Sequence, residues 1–347
     1  MSSKTSKVIL YNKLDRDTLI QHLNEESFSR KTLSFYKYME IQIPQDFRDK
    51  LFRAFDTLNC FGRIYIAREG INAQMSIPGH NWSSFLELLQ QWEDLKNIPL
   101  KIAIEDNGKS FFKLSIKVRK QIVADGLTMN DYDVTNVGKH LDANSWNDLL
   151  INEESIVVDM RNHYESEIGH FEGSILPQSE TFREELPEVL SLLKGKENNP
   201  VLLYCTGGIR CEKTSAFLKH HGFHDVNQLH GGIIDYARQV NEKGIENKFR
   251  GKNFVFDERL GESISQDVIS NCHQCGEPND THVNCANQGC NLLFIQCKDC
   301  QNKMAQTCSN ECQKIINLPE DEQAVIRRKK GLEKKAKRHY RSNLFKK

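Results

Sequence analysis

No uninterrupted apolar run in this 347-residue sequence approaches the roughly 18 residues needed to span a bilayer. The polar start, Met1 to Lys7, likewise lacks the apolar stretch of a signal peptide. Membrane insertion and export are not expected, and the chain reads as cytoplasmic. Net charge is also missing: 47 basic side chains balance 47 acidic ones, so the total alone points to neither nucleic acid nor membrane. There are no internal repeats. Wholesale disorder is excluded, because 38% hydrophobic residues can bury real cores, and the length suits two or three domains at about 100–200 residues each. An even cysteine count is absent too. Eleven cysteines without an export signal do not suggest a disulfide framework, which a reducing compartment disfavours, so metal binding and thiol chemistry become the leading explanations. Eight lie between Cys272 and Cys312, leaving Cys60, Cys205 and Cys211 outside.

Residues 1–32 mix the apolar run Val8 to Tyr11 with a polar stretch carrying Leu19, Leu23 and Phe28, and read as an N-terminal extension packed on the domain that begins at Leu33. From Leu33 the pattern is strand to Met39, helix from Pro44 to Leu58, strand from Arg63 to Ala67, a turn at Gly70 and a short strand from Gln74 to Ile77. Trp82 to Leu95 then has helical spacing of Phe85, Leu88, Leu89 and Trp92. Alternation from Phe112 to Arg119 gives the last strand, with Lys113, Lys117 and Arg119 near or on one face. This β-α-β-β-α-β order over 33–120 predicts a ferredoxin-like (acylphosphatase-like) α+β domain. Residues 121–143 read as a linker. Over 144–246, the apolar runs Ser155 to Asp159 and Pro200 to Tyr204 alternate with helices, which argues for a buried parallel sheet covered on both faces. Residues 247–318 form a Cys-rich region and 319–347 a basic tail.

Cys205 stands where a buried strand ends, and Thr206, Gly207, Gly208, Ile209 and Arg210 separate it from a helix. Its sulfur should face that helix's free N–H groups. Those dipoles favour thiolate, the glycines let the backbone curl around the sulfur, and Arg210 adds positive charge. The blander reading is a buried strand-end cysteine before an ordinary turn. Cys211, at the helix start, either resolves an oxidised or persulfurated Cys205 or simply faces the core.

Three segments in order resemble the rhodanese-like superfamily: the Cys205 loop, Asp159 to Glu165 with Arg161 and Tyr164, and Gly169 to Ile175. That resemblance implies a loop cradling a persulfide, with Asp159 and Arg161 holding loop and strand together. Related arsenate reductases and dual-specificity phosphatases place Arg six positions after Cys; here Arg210 is five after Cys205, a shorter loop that fits a sulfur-sized anion better than phosphate. Cys205 to Lys213, with Gly62 to Asn72, is narrower still and resembles the bacterial tRNA uridine 5-hydroxylase family. Phe35 to Tyr38, Thr181 to Glu184, Gln228 to Gly232 and Phe254 to Arg259 match it as well, so the likeness runs from about residue 33 to 312. Residues 1–32 are additional to the usual pattern, and Ala73-Gln74-Met75 departs from it. The resemblance implies oxygen-dependent formation of 5-hydroxyuridine at the wobble position of tRNA, molecular oxygen as co-substrate and an essential Cys205. No organic cofactor is evident.

The cysteine cluster is spaced Cys272-x2-Cys275, Cys285-x4-Cys290, Cys297-x2-Cys300 and Cys308-x3-Cys312. Four close pairs match two structural zinc sites of four thiolates each; an iron–sulfur cluster is the rival occupant. Spacing leaves open whether the pairs join sequentially or cross-brace, and His273 or His282 is an available substitute ligand. From Arg327 to Lys347 there are eleven basic residues and one acidic, so neutrality resolves into an acidic body and a basic tail suited to phosphates. Candidate RNA contacts are Arg327, Arg328, Lys329 and Lys330 in the tail, and Lys113, Lys117, Arg119 and Lys120 in the first domain. Without the family resemblance, the same residues suggest a sulfurtransferase carrying sulfane sulfur on Cys205; a non-catalytic RNA-binding scaffold is the third reading.

Overall fold

The computed structural model describes residues 10, 14–127 and 132–329. The chain forms two compact units, one running to Ala124 and including Asp257–Arg259, the other comprising Asp125–Phe256 and the chain from Leu260 onward. The first contains α1 (Arg16–Glu25), β1 (Arg30–Tyr38), α2 (Pro44–Thr57), β2 (Phe61–Ala67), β3 (Gly70–Pro78), α3 (Trp82–Gln91), β4 (Lys101–Ile102) and β5 (Leu114–Val118). Local chemistry sets the helix starts: the Asp15 side chain accepts from the Thr18 N–H at the head of α1, and Pro44 opens α2 where an amide hydrogen would have no partner.

The strands form one sheet in the order β4-β1-β3-β2-β5. β3 runs antiparallel to both β1 and β2, as the ferredoxin-like pattern requires. One expectation needs correction. The Phe112 to Arg119 strand exists as β5, but it lies parallel to β2 at the far edge, and the closing strand of the β-α-β-β-α-β unit is β4, antiparallel to β1. β4 has only two residues, one of them charged, so it leaves no alternation to read. β1 also begins at Arg30, inside the stretch expected as an extension. One face of the sheet, with Phe35, Ile64, Ala73 and Ile116, packs with Leu51 and Phe55 of α2 and Phe85 and Leu89 of α3. The positions between them, including Tyr36, Arg63, Tyr65 and Gln74, stay partly exposed.

The second unit opens with β6 (Lys139–Leu141), α4 (Ala143–Leu150), β7 (Ile156–Asp159), α5 (His163–Ser166), β8 (Gly169–Phe171), α6 (Phe182–Leu192), β9 (Val201–Tyr204), α7 (Ile209–His220), β10 (Val226–Leu229) and α8 (Gly232–Lys243). β6, β10, β9 and β7 form a parallel sheet in that order. β6 falls within the stretch expected as linker; with Leu141 as its one apolar residue, it carries no strand signal of its own. Trp146, Phe171, Tyr204, Tyr236 and Phe249 fill the core, Phe171 meeting Tyr204 edge-on at 4.8 Å between centroids.

The same unit continues through β11 (Phe249–Asn253), β12 (Glu262–Ser263), β13 (His282–Asn284), β14 (Leu293–Ile295), α9 (Lys298–Met304), α10 (Asn310–Ile316) and α11 (Glu320–Lys329). β11 pairs with β8, tying the Cys-rich region to the parallel-sheet domain. β14 faces two ways. Leu293 and Ile295 pack with Tyr164, Ile168 and Phe254, while Phe294 packs with Val283, Leu292 and cysteines of the C-terminal cluster.

Candidate active site

β9 is buried at every residue and delivers the fully buried Cys205 to the start of α7. Gly208 adopts a φ of 94°, a conformation glycine takes readily, and its N–H donates to Cys205 Sγ at 3.1 Å. Burial alone would raise the Cys205 thiol. It is outweighed by a hydrogen bond from the Cys211 thiol, the charge of Arg210 and the N–H groups of Arg210 and Cys211, which bring Cys205 from 9.0 down to about 5. A thiol lowered that far is mostly thiolate at pH 7. Cys211 moves the other way: burial, then donation to Cys205, holds its thiol well above the ordinary value. The two sulfurs form a thiolate–thiol pair with the proton on Cys211.

The start of α8 forms the second wall. Ile233 N–H donates to Cys205 O at 3.0 Å and Ile234 N–H to Thr206 O at 3.2 Å. A Cβ at Gly232 would stand 2.5 Å from Cys205 O and 2.7 Å from Gly207 N, so this approach requires glycine. Thr206 Oγ1 is buried without a hydrogen-bond partner, one residue from the sulfur.

Arg210 is clamped by both oxygens of Glu165, at 2.7 and 2.9 Å. Glu165 is itself fixed by a capping box with Asn162 at the head of α5. Asp159 at the end of β7 receives Arg161 Nε at 2.8 Å, and the same guanidinium donates to Gly169 O at 2.6 Å, joining β7 to β8. Glu185 of α6 is fully buried with neither carboxylate oxygen hydrogen-bonded. Burial raises its carboxyl well above the usual range; Arg210 opposes this, and the charges of Asp159, Glu165 and Cys205 add to it. Sequence reasoning missed Glu165, Glu185 and Gly232 as site residues. Asn162 three positions before Glu165 was the available signal for the first, whereas Glu185 reads as an ordinary acidic residue in a helix's first turn.

The eight C-terminal cysteines assemble into two groups, Cys272 with Cys275, Cys297 and Cys300, and Cys285 with Cys290, Cys308 and Cys312. First pair joins third and second joins fourth, so the arrangement is cross-braced. Within each group the sulfurs lie within 4.8 Å of one another, with Cys275 to Cys297 at 3.7 Å and Cys290 to Cys308 at 3.6 Å. A tetrahedron with Zn–S near 2.3 Å has edges of about 3.8 Å, so the donor sets fit that ion. His273 is not needed as a ligand: its Nε2 lies 2.7 Å from Glu167 and its Nδ1 accepts from Ile295 N–H.

Lys113, Lys117, Arg119 and Lys120 lie at least partly exposed on the first unit, and Arg119 lies 5.5 Å from the centre of the Tyr65 ring. In α11, Arg327 pairs with Glu320, Arg328 is at least partly exposed and Lys329 is the last helical residue. Lys330 and the remainder of the basic tail lie outside the described residues. Among the described residues no helix is long and apolar enough to cross a membrane.

Three family models match in succession: a UPF0176 acylphosphatase-like domain at residues 30–122, a rhodanese-like domain at 142–239 and a rhodanese C-terminal region at 250–313. The chain is 57% identical over 94% of its length to a tRNA uridine(34) hydroxylase of Leptospira interrogans, covering 89% of that protein. The chain belongs to the tRNA uridine(34) hydroxylase family. A second tRNA uridine(34) hydroxylase, from an Enterobacter species, is 48% identical over 94% of this chain and 93% of its own. The family models take in both the ferredoxin-like unit and the Cys205 loop.

Proposed function

We propose that this chain is a cytoplasmic tRNA-modifying oxidoreductase that places a hydroxyl on C5 of uridine 34, the wobble position, with molecular oxygen as co-substrate and Cys205 as the reacting sulfur. The observation that carries the reading is the geometry at Cys205 in a chain of this family: its buried sulfur accepts from Gly208 N–H at 3.1 Å at the head of α7, where Cys211, Arg210 and the N–H groups overcome burial and favour thiolate. A thiolate is the form of cysteine that attacks an electrophilic carbon. Addition of Sγ to C6 of the uracil ring makes C5 electron-rich, the carbon that must take up oxygen; loss of the C5 proton and expulsion of the thiolate then restore the ring. The alternative role of the same sulfur is to carry the oxygen as an oxidised derivative. Either way, one oxygen atom enters the C5–H bond and the other leaves as water, which consumes two electrons from a donor outside the chain.

Thr206, Gly207, Gly208 and Ile209 form the anion cradle of this reading, Arg210 supplies its charge, and Cys211 holds the proton beside the sulfur. Asp159 and Arg161 keep strand and loop in place. Two zinc ions would occupy the four-cysteine groups as structural ions, closing a region that has few apolar residues of its own. Lys113, Lys117, Arg119 and Lys120, with the basic stretch from Arg327 onward, would meet phosphates.

The test is mass spectrometry of nucleosides from unmodified tRNA incubated with purified protein, with and without oxygen and a reductant. Oxygen-dependent 5-hydroxyuridine that disappears in Cys205→Ser supports the assignment; product formation by the variant overturns it. Thiocyanate produced from thiosulfate and cyanide, with no hydroxylated nucleoside, would favour sulfur transfer.

A further inference from the structure

The strands of the first unit's sheet contain six Lys or Arg residues and no Asp or Glu at all. Its strand pairing also sorts the tyrosines. With Phe35, Ala73, Ile64 and Ile116 in register on the helix-covered face, the next positions, Tyr36, Asn72, Tyr65 and Lys117, form a row across four strands on the other face. A neighbouring row places Ser34, Gln74, Arg63 and Ser115 beside it, with Lys101 opposite Ser34 on β4. Tyr38 is two residues beyond Tyr36 on the same side. Cations border the rings: Lys101 Nζ lies 4.2 Å from the Tyr36 centroid and the Arg119 guanidinium 5.5 Å from that of Tyr65. Tyr36, Tyr38, Tyr65 and Arg63 are half-buried and Lys117 exposed, so the face reaches solvent. At Asn72 the row is edged by backbone, because its side-chain amide donates to Ile122 O at 3.2 Å.

We infer that this open sheet face is a platform for unpaired RNA nucleotides, whose bases stack on Tyr36 and Tyr65 while Arg63, Lys101 and Lys117 meet the phosphates. The inference rests on the tRNA-modifying reading and specifies how part of that substrate is held. The carboxylates on this side, Glu26 on Arg30 and Asp106 on Thr32, are engaged several residues along β1 from Tyr36, and aromatic rings laid across a sheet whose strands carry cations and no carboxylate of their own suit splayed bases on a polyanionic backbone. A duplex is the wrong occupant, since its bases are already stacked on each other and offer no free ring face. The unpaired loop that contains a wobble nucleotide has the required form. The rings are uncharged, so they grip bases at any salt concentration, whereas Arg63, Lys101 and Lys117 contribute a salt-dependent part.

The experiment measures binding of the full chain to a labelled RNA hairpin carrying an anticodon loop, and to a fully paired RNA of equal length, across a salt series. Tyr36→Ala and Tyr65→Ala should each weaken hairpin binding about tenfold and together more, with little change in the salt slope. Tyr65→Phe should bind nearly as wild type. Lys117→Glu, at an exposed position, should weaken binding and flatten the salt slope, and it guards against loss of folding in the tyrosine variants. Circular dichroism and melting temperature establish that each variant is folded. Wild-type hairpin affinity in folded Tyr36→Ala/Tyr65→Ala, or equal weakening for paired RNA, would overturn the platform. Binding is read independently of chemistry: tyrosine-dependent hairpin binding without any 5-hydroxyuridine would remove the proposed reaction and leave the platform standing, and intact hydroxylation with tyrosine-independent binding would do the reverse.

Discussion

Cys205 and the C-terminal cysteines solve the same electrostatic problem at different scales. At Cys205 a single sulfur is negative, and the Gly208 N–H, the start of α7, the Cys211 thiol and Arg210 together suffice to hold that charge in a buried site. In the C-terminal region four sulfurs lie within 4.8 Å of one another in each group. Four thiolates at that spacing repel too strongly for backbone dipoles to hold them, and a divalent cation is the compact remedy. One site therefore suits a single stabilised anion, and the other presents a donor set that could hold a metal ion. The difference is one of anion density more than of residue type.

The largest effect separating the two sites is chemical. Cys205→Ser should lower hydroxylation by at least about a thousandfold with the zinc content unchanged, read by nucleoside mass spectrometry beside metal analysis. Cys272→Ser should do the converse to metal: about one zinc equivalent per chain should disappear, with a lower melting temperature, because structural zinc binding is part of folding free energy. Two retained equivalents would show that the four-sulfur group is not the site. Glu165→Gln would take from the buried Arg210 the carboxylate that clamps it through both oxygens, and chemical denaturation should report a loss of about 3 kcal/mol. Cys211→Ala is the finest probe. It removes a donor to the thiolate, so the acid limb of the pH–rate profile should move up from near 5 by about one unit, with activity at pH 7–8 little changed. An unmoved limb would mean that the N–H groups and Arg210 hold the thiolate alone.

The Cys205 loop is legible in the sequence because its signal is local: an apolar strand, a cysteine, two glycines and a helix lie within a dozen residues. Its surroundings are legible only in part. Gly232 and Glu165 reach the loop through tertiary approach, and Glu185 is marked by the absence of a partner, which no sequence pattern encodes. The pairing of the cysteines shows the same limit. The spacings identify four pairs, but the cross-braced arrangement is a matter of how the fold brings the pairs together. The ferredoxin-like unit is legible in class and misleading at its last strand, since five alternating residues in β5 outweigh two in β4 to the eye while the sheet needs both. The tyrosines of β1 and β2 look like strand formers until register places them in one row.

β14 has a consequence for how the second unit comes apart. Its side chains at 293 and 295 belong to the core under Tyr164 and Phe254, and the one between them belongs to the core under the cysteines. No cut through the backbone frees one core without opening the other. The parallel-sheet domain and the eight-cysteine region should therefore melt in a single cooperative transition, and if zinc fills the four-cysteine groups as proposed, a chelator should loosen the Cys205 loop from a distance, through the three-residue strand they hold in common.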